Sequence, residues 1–181
     1  ISGNTRVRIE GPETSYFFSH YPQVWGWATW RRAWQKFSMQ YDDFENCLAS
    51  VLGRFDTEPE RAYWEPVLRD TFAGHRDSWA YRWAFAQWLE GGLSTYPVTN
   101  MVENIGFGSE STHTGLFSET RWLQPPAHDP GPLRHPEEIA RSADLDLNVF
   151  DLAYTRHAIP TRLFQIVRSV ALKRIDKAKT G

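Results

Sequence analysis

Three places in this chain hold side chains whose type and setting could do chemistry. The first is Val24 to Phe37, Val-Trp-Gly-Trp-Ala-Thr-Trp-Arg-Arg-Ala-Trp-Gln-Lys-Phe. Four of the nine tryptophans (Trp25, Trp27, Trp30 and Trp34) fall there within ten residues. Indole faces at this density stack on ring-shaped ligands or bury as core, and each buried N–H then needs a partner. The spacing of Trp27, Trp30 and Trp34 puts them on one face of any helix the segment forms, and the reading is a turn plus a helix from about Thr29 to Phe37. Gly26 lets the backbone turn sharply, or approach a ligand closely, just before that helix. Arg31 and Arg32 fall mostly on other faces, where they meet solvent, a carboxylate or a phosphate.

The second place is Asp77, after His75-Arg76 at the predicted start of a helix. Aspartate there is a good N-cap, and the helix dipole favours its ionised form. A carboxylate fixed at such a point also suits removal of a proton from a bound hydroxyl. The third is His113, in Ser-Glu-Ser-Thr-His-Thr-Gly. It reads as an exposed loop histidine, or as a neutral imidazole ligand for a divalent metal whose other ligands come from elsewhere. Gly106-x-Gly108 is too short to be a phosphate loop by itself. Asp144-Leu145-Asp146 has the look of a metal-binding acidic pair, but oxygen ligand sets need more partners. It reads instead as a solvated cap before a helix at Leu147, and Asp42-Asp43 as another helix start.

The elements that must position these residues follow from periodicity. Ile1 to Pro12 is predicted as a strand end and a loop or short hairpin, and Tyr16-Phe17-Phe18 as a short buried strand. A helix from Asp42 to about Phe55 places Phe44, Cys47, Leu48, Val51, Leu52 and Phe55 on its apolar face. Thr57-x-x-Glu60 is a capping-box pattern, with Pro59 in the first turn, opening a helix that ends at Gly74 and carries a potential kink at Pro66. Another helix runs from Asp77-Ser78 to Gly91-Gly92, aromatic nearly all round and therefore mostly buried. Leu93 to Pro97 is predicted as a strand, and Asn100 to Gly108 as strand or loop. Residues 124–136 hold five of the eleven prolines and form an extended surface crossing. A short helix is expected over Asn148 to Arg156, and an amphipathic one over Thr161 to Ala178. The reading is α/β: a short mixed sheet packed by aromatic-rich helices. It divides into a body over 1–123, a proline-rich crossing over 124–146 and a basic helical tail over 147–181.

Composition narrows the function classes. Aromatics are 15% of the 181 residues and charged residues 23%, which excludes a disordered chain. The single Cys47 excludes an intrachain disulfide and a cysteine-rich zinc site, and fits a reducing compartment. The net charge of −2 hides a tail from Tyr154 to Gly181 with seven Arg and Lys against Asp176 alone. A basic tail on an acidic body argues against a general nucleic-acid binder. The tail helix packs on the body or, as the rival reading, binds an anionic membrane surface. No apolar run is long enough to span a bilayer, and no secretory signal opens the chain. The expected location is the cytoplasm, at the inner face of the membrane if the tail meets lipid. The chain opens on Ile1-Ser-Gly-Asn4, as the later part of something longer would.

Taken in order, three segments resemble the second half of bacterial family 2-like glycosyltransferases of the GT-A fold, the nucleotide-diphospho-sugar transferases. They are Ser19-His-Tyr-Pro-Gln-Val-Trp-Gly-Trp-Ala-Thr-Trp-Arg-Arg-Ala-Trp34, Asp77-Ser-Trp-Ala-Tyr-Arg-Trp83, and Asn100-Met-Val-Glu-Asn-Ile-Gly-Phe-Gly108 with Thr112-His-Thr114. The resemblance covers roughly Ile1 to Thr114. It implies transfer of a sugar from a nucleotide-sugar donor to a glycan or lipid-linked acceptor, with Mg2+ or Mn2+ as cofactor. It implies a substrate-binding role for Trp25, Gly26, Trp27, Arg31 and Arg76, a catalytic base at Asp77 and a metal ligand at His113. The family's usual Glu-Asp pair stands here as Arg76-Asp77. The nucleotide-binding half with its Asp-x-Asp motif is not in this sequence, so the chain alone is expected to be inactive. The competing class is a non-catalytic, aromatic-rich carbohydrate-binding or docking module, and a purely structural protein is third.

Overall fold

A computed structural model of the chain describes residues 1–5, 13–103 and 126–155. Among them the chain is mixed α/β, with five α-helices and one antiparallel strand pair. Strand β1 (Tyr16–Ser19) pairs with β2 (Ser94–Pro97), Tyr16 opposite Pro97 and Ser19 opposite Ser94. In place of the expected mixed sheet, the described residues form this two-stranded ribbon. Between its strands come α1 (Arg31–Trp34), α2 (Phe44–Leu52), α3 (Glu58–Phe72) and α4 (Trp79–Leu89); α5 (Ala143–Phe150) follows β2.

The helix ends have local causes. The Asp43 carboxylate accepts from the Asn46 amide to cap α2. At α3 the capping box forms as spaced: Thr57 Oγ1 accepts from the Glu60 amide, and Glu60 Oε2 accepts from the Thr57 amide at 2.9 Å. Pro66 sits inside α3 without ending it, and Gly74, at φ +81°, turns the chain out after the helix. Ser78 is the N-cap residue of α4, which places Asp77 one residue before the cap.

The core lies where α2, α3, α4 and α5 meet the ribbon. Leu48, Val51, Trp64, Leu68, Phe85, Trp88, Tyr96, Val149 and Phe150 are buried there. Aromatic rings fill much of the volume: the Trp64 ring meets Trp88 and Tyr154 edge-on, each at a centroid distance of 4.8 Å. The aromatic α4 is buried as expected over Arg82–Ala86 and at Trp88, while Trp79 at its start stays exposed.

Three further expectations are corrected. The helix expected from about Thr29 to Phe37 is one turn, Arg31–Trp34. Trp27 bridges to Ser2 as an isolated antiparallel pair, and the Ala28 amide donates to the Ile1 carbonyl, so those backbone groups are spent on extended pairing. The helix expected at Asn148 begins at Ala143 and widens into a π-helical turn over Asp151–Thr155. Asp144 and Asp146 therefore belong to its first turn. Asp146 is fully buried, where a solvated cap was expected. Residues 6–12, the Asn104–Gly108 segment, His113 and the basic helix expected over Thr161 to Ala178 lie outside the described residues.

Candidate functional site

The Gly26 turn is where distant segments converge. Residues Ile1–Thr5 run between this turn and the chain that follows β2. The Gly3 amide donates to the Gly26 carbonyl at 2.9 Å, the Met101 amide donates to the Gly3 carbonyl at 2.9 Å, and the Ser2 amide donates to the Thr95 carbonyl at 2.9 Å. Asn100 Oδ1 accepts from the Thr5 amide at 3.3 Å, and Asn100 Nδ2 donates to the Val102 carbonyl at 2.8 Å. Gly26 has φ +54°, a conformation that L side chains rarely adopt. Val102 closes the same space, because a Cβ at Gly26 would overlap its Cγ2 methyl. Glycine is required there on both counts.

On the other side of the turn, Trp27 meets α4. Its ring lies 5.5 Å from Trp79, 5.6 Å from Trp83 and 5.9 Å from Trp34, centroid to centroid. Trp83 is buried, whereas Trp34 and Trp79 keep 42% and 45% of their surface in solvent and Trp30 keeps 48%. Asp77 and Arg76 are exposed just ahead of Trp79, and the Arg76 guanidinium lies 5.6 Å from the Tyr81 ring centroid. Arg31 is exposed at the start of α1, and its neighbour Arg32 lies over the Trp30 ring at 5.1 Å. The described part of the predicted constellation is thus linked in part, at two levels. Trp25-Gly26-Trp27 reaches α4 and Val102 directly, and Asp77 joins it through Trp79. Arg76 turns to Tyr81 and Arg31 to solvent, away from the turn.

A cleft of about 100 Å³ opens beside Trp27, between the Ala28–Lys36 stretch and the C-terminal half of α4. Trp27, Trp30, Trp83 and Gln87 line it, with the Lys36–Glu90 ion pair (Nζ to Oε2, 3.2 Å) among its walls. Asp77 is not among the lining residues. Of the predicted site residues only Trp27 is. Sequence reasoning missed Lys36, Trp83 and Glu90. The signal for two of them was present, since Trp83 and Gln87 on α4 and Glu90 at its C-cap recur at helical spacing.

Ser19-His20-Tyr21, the start of the first resembling segment, has a structural role. Asp146 accepts from Ser19 Oγ at 2.6 Å, from the His20 amide at 3.0 Å and from Arg141 Nε at 2.6 Å, and Arg141 also donates to Asp56 at 2.6 Å. The His20 carbonyl accepts from Trp88 Nε1 at 2.7 Å and from Gln87 Nε2 at 3.2 Å. The His20 ring, 5% exposed, stacks on Trp88 and meets Phe55 edge-on. Burial, helped by the positive charge of Arg141, pulls its pKa down to about 3. Tyr21 donates to Glu60 Oε1 at 2.5 Å, and burial, followed by that bond, drives its phenol well above the ordinary range. These residues tie the end of β1 to α3, α4 and α5 and are buried away from solvent.

Among the described residues, no group of three or more His, Cys, Asp or Glu side chains is placed to hold a metal ion, and His113 lies outside them. The carboxylate of Asp146 is taken up by Ser19, His20 and Arg141 and does not fit a metal. No helix among the described residues is long and apolar enough to cross a membrane. Comparison with protein-family models, with curated proteins and with solved structures finds nothing that matches this chain.

Proposed function

We propose that this chain carries the acceptor side of a glycosyltransferase domain that uses a nucleotide-sugar donor. The observation that carries the reading is the convergence at Gly26. The three segments that resemble the transferase family are far apart in sequence, yet Gly26 packs under Val102 while Trp27 packs on Trp79, two residues after Asp77. A glycine held at positive φ with indole on one side and a carboxylate near its neighbour is the kind of wall a sugar acceptor needs.

In this reading the acceptor hydroxyl lies at Asp77 with its ring against exposed indole. The carboxylate takes the hydroxyl proton as the oxygen bonds to the anomeric carbon, and the nucleotide diphosphate leaves with the electron pair of the broken bond. A divalent cation, implied by the family resemblance, would offset the charge of that leaving group; none of the steps assigned to these residues runs through it. Arg31 and Arg76 are free to reach anionic substrate groups.

A carbohydrate-binding module without transfer activity is the second reading. It is favoured by the cleft, which is lined by tryptophan and an ion pair and excludes Asp77.

Calorimetry on a form that also carries a nucleotide-binding half, as the transferase reading requires, separates the two. Binding of a nucleoside diphosphate that requires Mn2+ is the outcome expected of the transferase; glycan binding that ignores both supports the module. In a form that transfers sugar, Asp77→Asn should lower turnover by about 100-fold or more, the usual share of a general base, and leave donor binding intact. Substantial remaining turnover would exclude Asp77 as the base.

A further inference from the structure

The cleft lies at the far end of α4 from Asp77, and the surface between them is aromatic. Trp30, Trp27 and Trp83 give the cleft indole walls, and Lys36 and Glu90 bring a donor and an acceptor side by side, each about half exposed. A pyranose ring has the matching split character. Its C–H face packs on an aromatic ring, and its rim of neighbouring hydroxyls can share one carboxylate and one ammonium. Trp27 belongs both to the cleft and to the contact with Trp79, so the indole surface runs on from the cleft toward the start of α4. From Glu90 back to Asp77 the separation is roughly 20 Å at about 1.5 Å per residue, too long for one sugar and suited to three or four.

We propose that the cleft is a remote subsite for an oligosaccharide acceptor. A glycan of three or four pyranose units lies along α4, one ring held between Trp30 and the Lys36–Glu90 pair and the reacting end at Asp77. The assignment rests on the carbohydrate reading above and narrows it, since a single sugar or a bare phosphate headgroup reaches only one end of the track. The two ends have different duties. The Asp77 end does the chemistry, and the cleft measures the length of the chain.

The test is titration of the intact chain, followed by tryptophan fluorescence and calorimetry. The probes are glucose-, mannose- and N-acetylglucosamine-based oligosaccharides of one to six units. Affinity in the series that binds should rise about tenfold between the disaccharide and the tetrasaccharide, roughly the gain from one more stacked and hydrogen-bonded ring, and then level off. Trp30→Ala, and separately the paired Lys36→Met and Glu90→Gln, should bring the tetrasaccharide down to the disaccharide level while leaving the disaccharide unchanged. All these side chains are half-exposed, and melting curves check that the variants fold. Equal affinity at every length overturns the subsite and leaves glycan binding standing. So does a length dependence that survives loss of both Trp30 and the ion pair. No binding in any series overturns the subsite; sugar transfer by a form that carries the nucleotide-binding half would then leave the transferase reading in place.

Discussion

Gly26 is held by two constraints that mutation can separate. Its positive φ disfavours any side chain, and the Val102 methyl fills the space a Cβ would take. Gly26→Ala should cost about 2–4 kcal/mol in urea unfolding, combining roughly 1 kcal/mol of backbone strain with the cost of overpacking. In a Val102→Ala background the same change should cost only about 1 kcal/mol, the strain that remains; an undiminished cost would show that Val102 is not what the side chain meets. His20 sets a pH dependence. Its imidazole is neutral in the fold, with a pKa of about 3 against an ordinary 6.5, because burial penalises the charged form. Below about pH 6.5 the unfolded chain takes up a proton that the folded chain refuses. Stability should therefore fall as pH drops from 6.5 toward 3, with a slope from this group approaching about 1.4 kcal/mol per pH unit. His20→Phe keeps a ring against Trp88 and should flatten that slope; melting temperatures across pH 4–7 for the two proteins provide the check.

At the scale of elements, Arg141 is the fastening. It sits in a parallel bridge with Phe18, donates to buried Asp146 at the start of α5 and reaches Asp56 in the α2–α3 connection. Removing it leaves Asp146 buried with its ionic partner gone. Arg141→Ala should thus cost about 3 kcal/mol or more and make the 126–142 stretch an early cleavage site in limited proteolysis. An unchanged digestion pattern would mean that the ribbon holds α5 without it. The elements themselves differ in how far sequence announces them. Caps and apolar faces are local, so Asp43, the Thr57–Glu60 box, Gly74 and Ser78 mark α2, α3 and the start of α4 well. The fate of Trp27 is decided by Ser2, and that of Asp146 by Ser19 and Arg141, and a periodicity argument has no access to partners so far along the chain.

At the scale of the molecule the same division holds for the candidate site. The tryptophan-rich turn and Asp77 stand out by residue type, and the fold links them through Trp79. The cleft does not stand out, because it needs Lys36 from beyond α1 opposite Glu90 from beyond α4, and neither charge is unusual on its own. Mixed α/β character was readable from the strand-like Tyr16–Phe18 and Leu93–Pro97 runs between helical patterns. That those two runs pair with each other was not, since they stand some eighty residues apart and nothing local sets their register.

That pairing has an architectural consequence. Ser19 lies opposite Ser94, so the chain leaves the ribbon and returns to it at one point. Residues 20–93, with α1 to α4 and every tryptophan of the track, therefore form a loop closed at its neck. The loop is also fastened beyond its neck, because α2, α3 and α4 share a core with α5 and the ribbon, and Asp56 in the α2–α3 connection is held by Arg141. The entropy of closing a loop grows only slowly with its length, so insertions in the exposed Gly74–Asp77 connection, away from that core, should leave the neck intact.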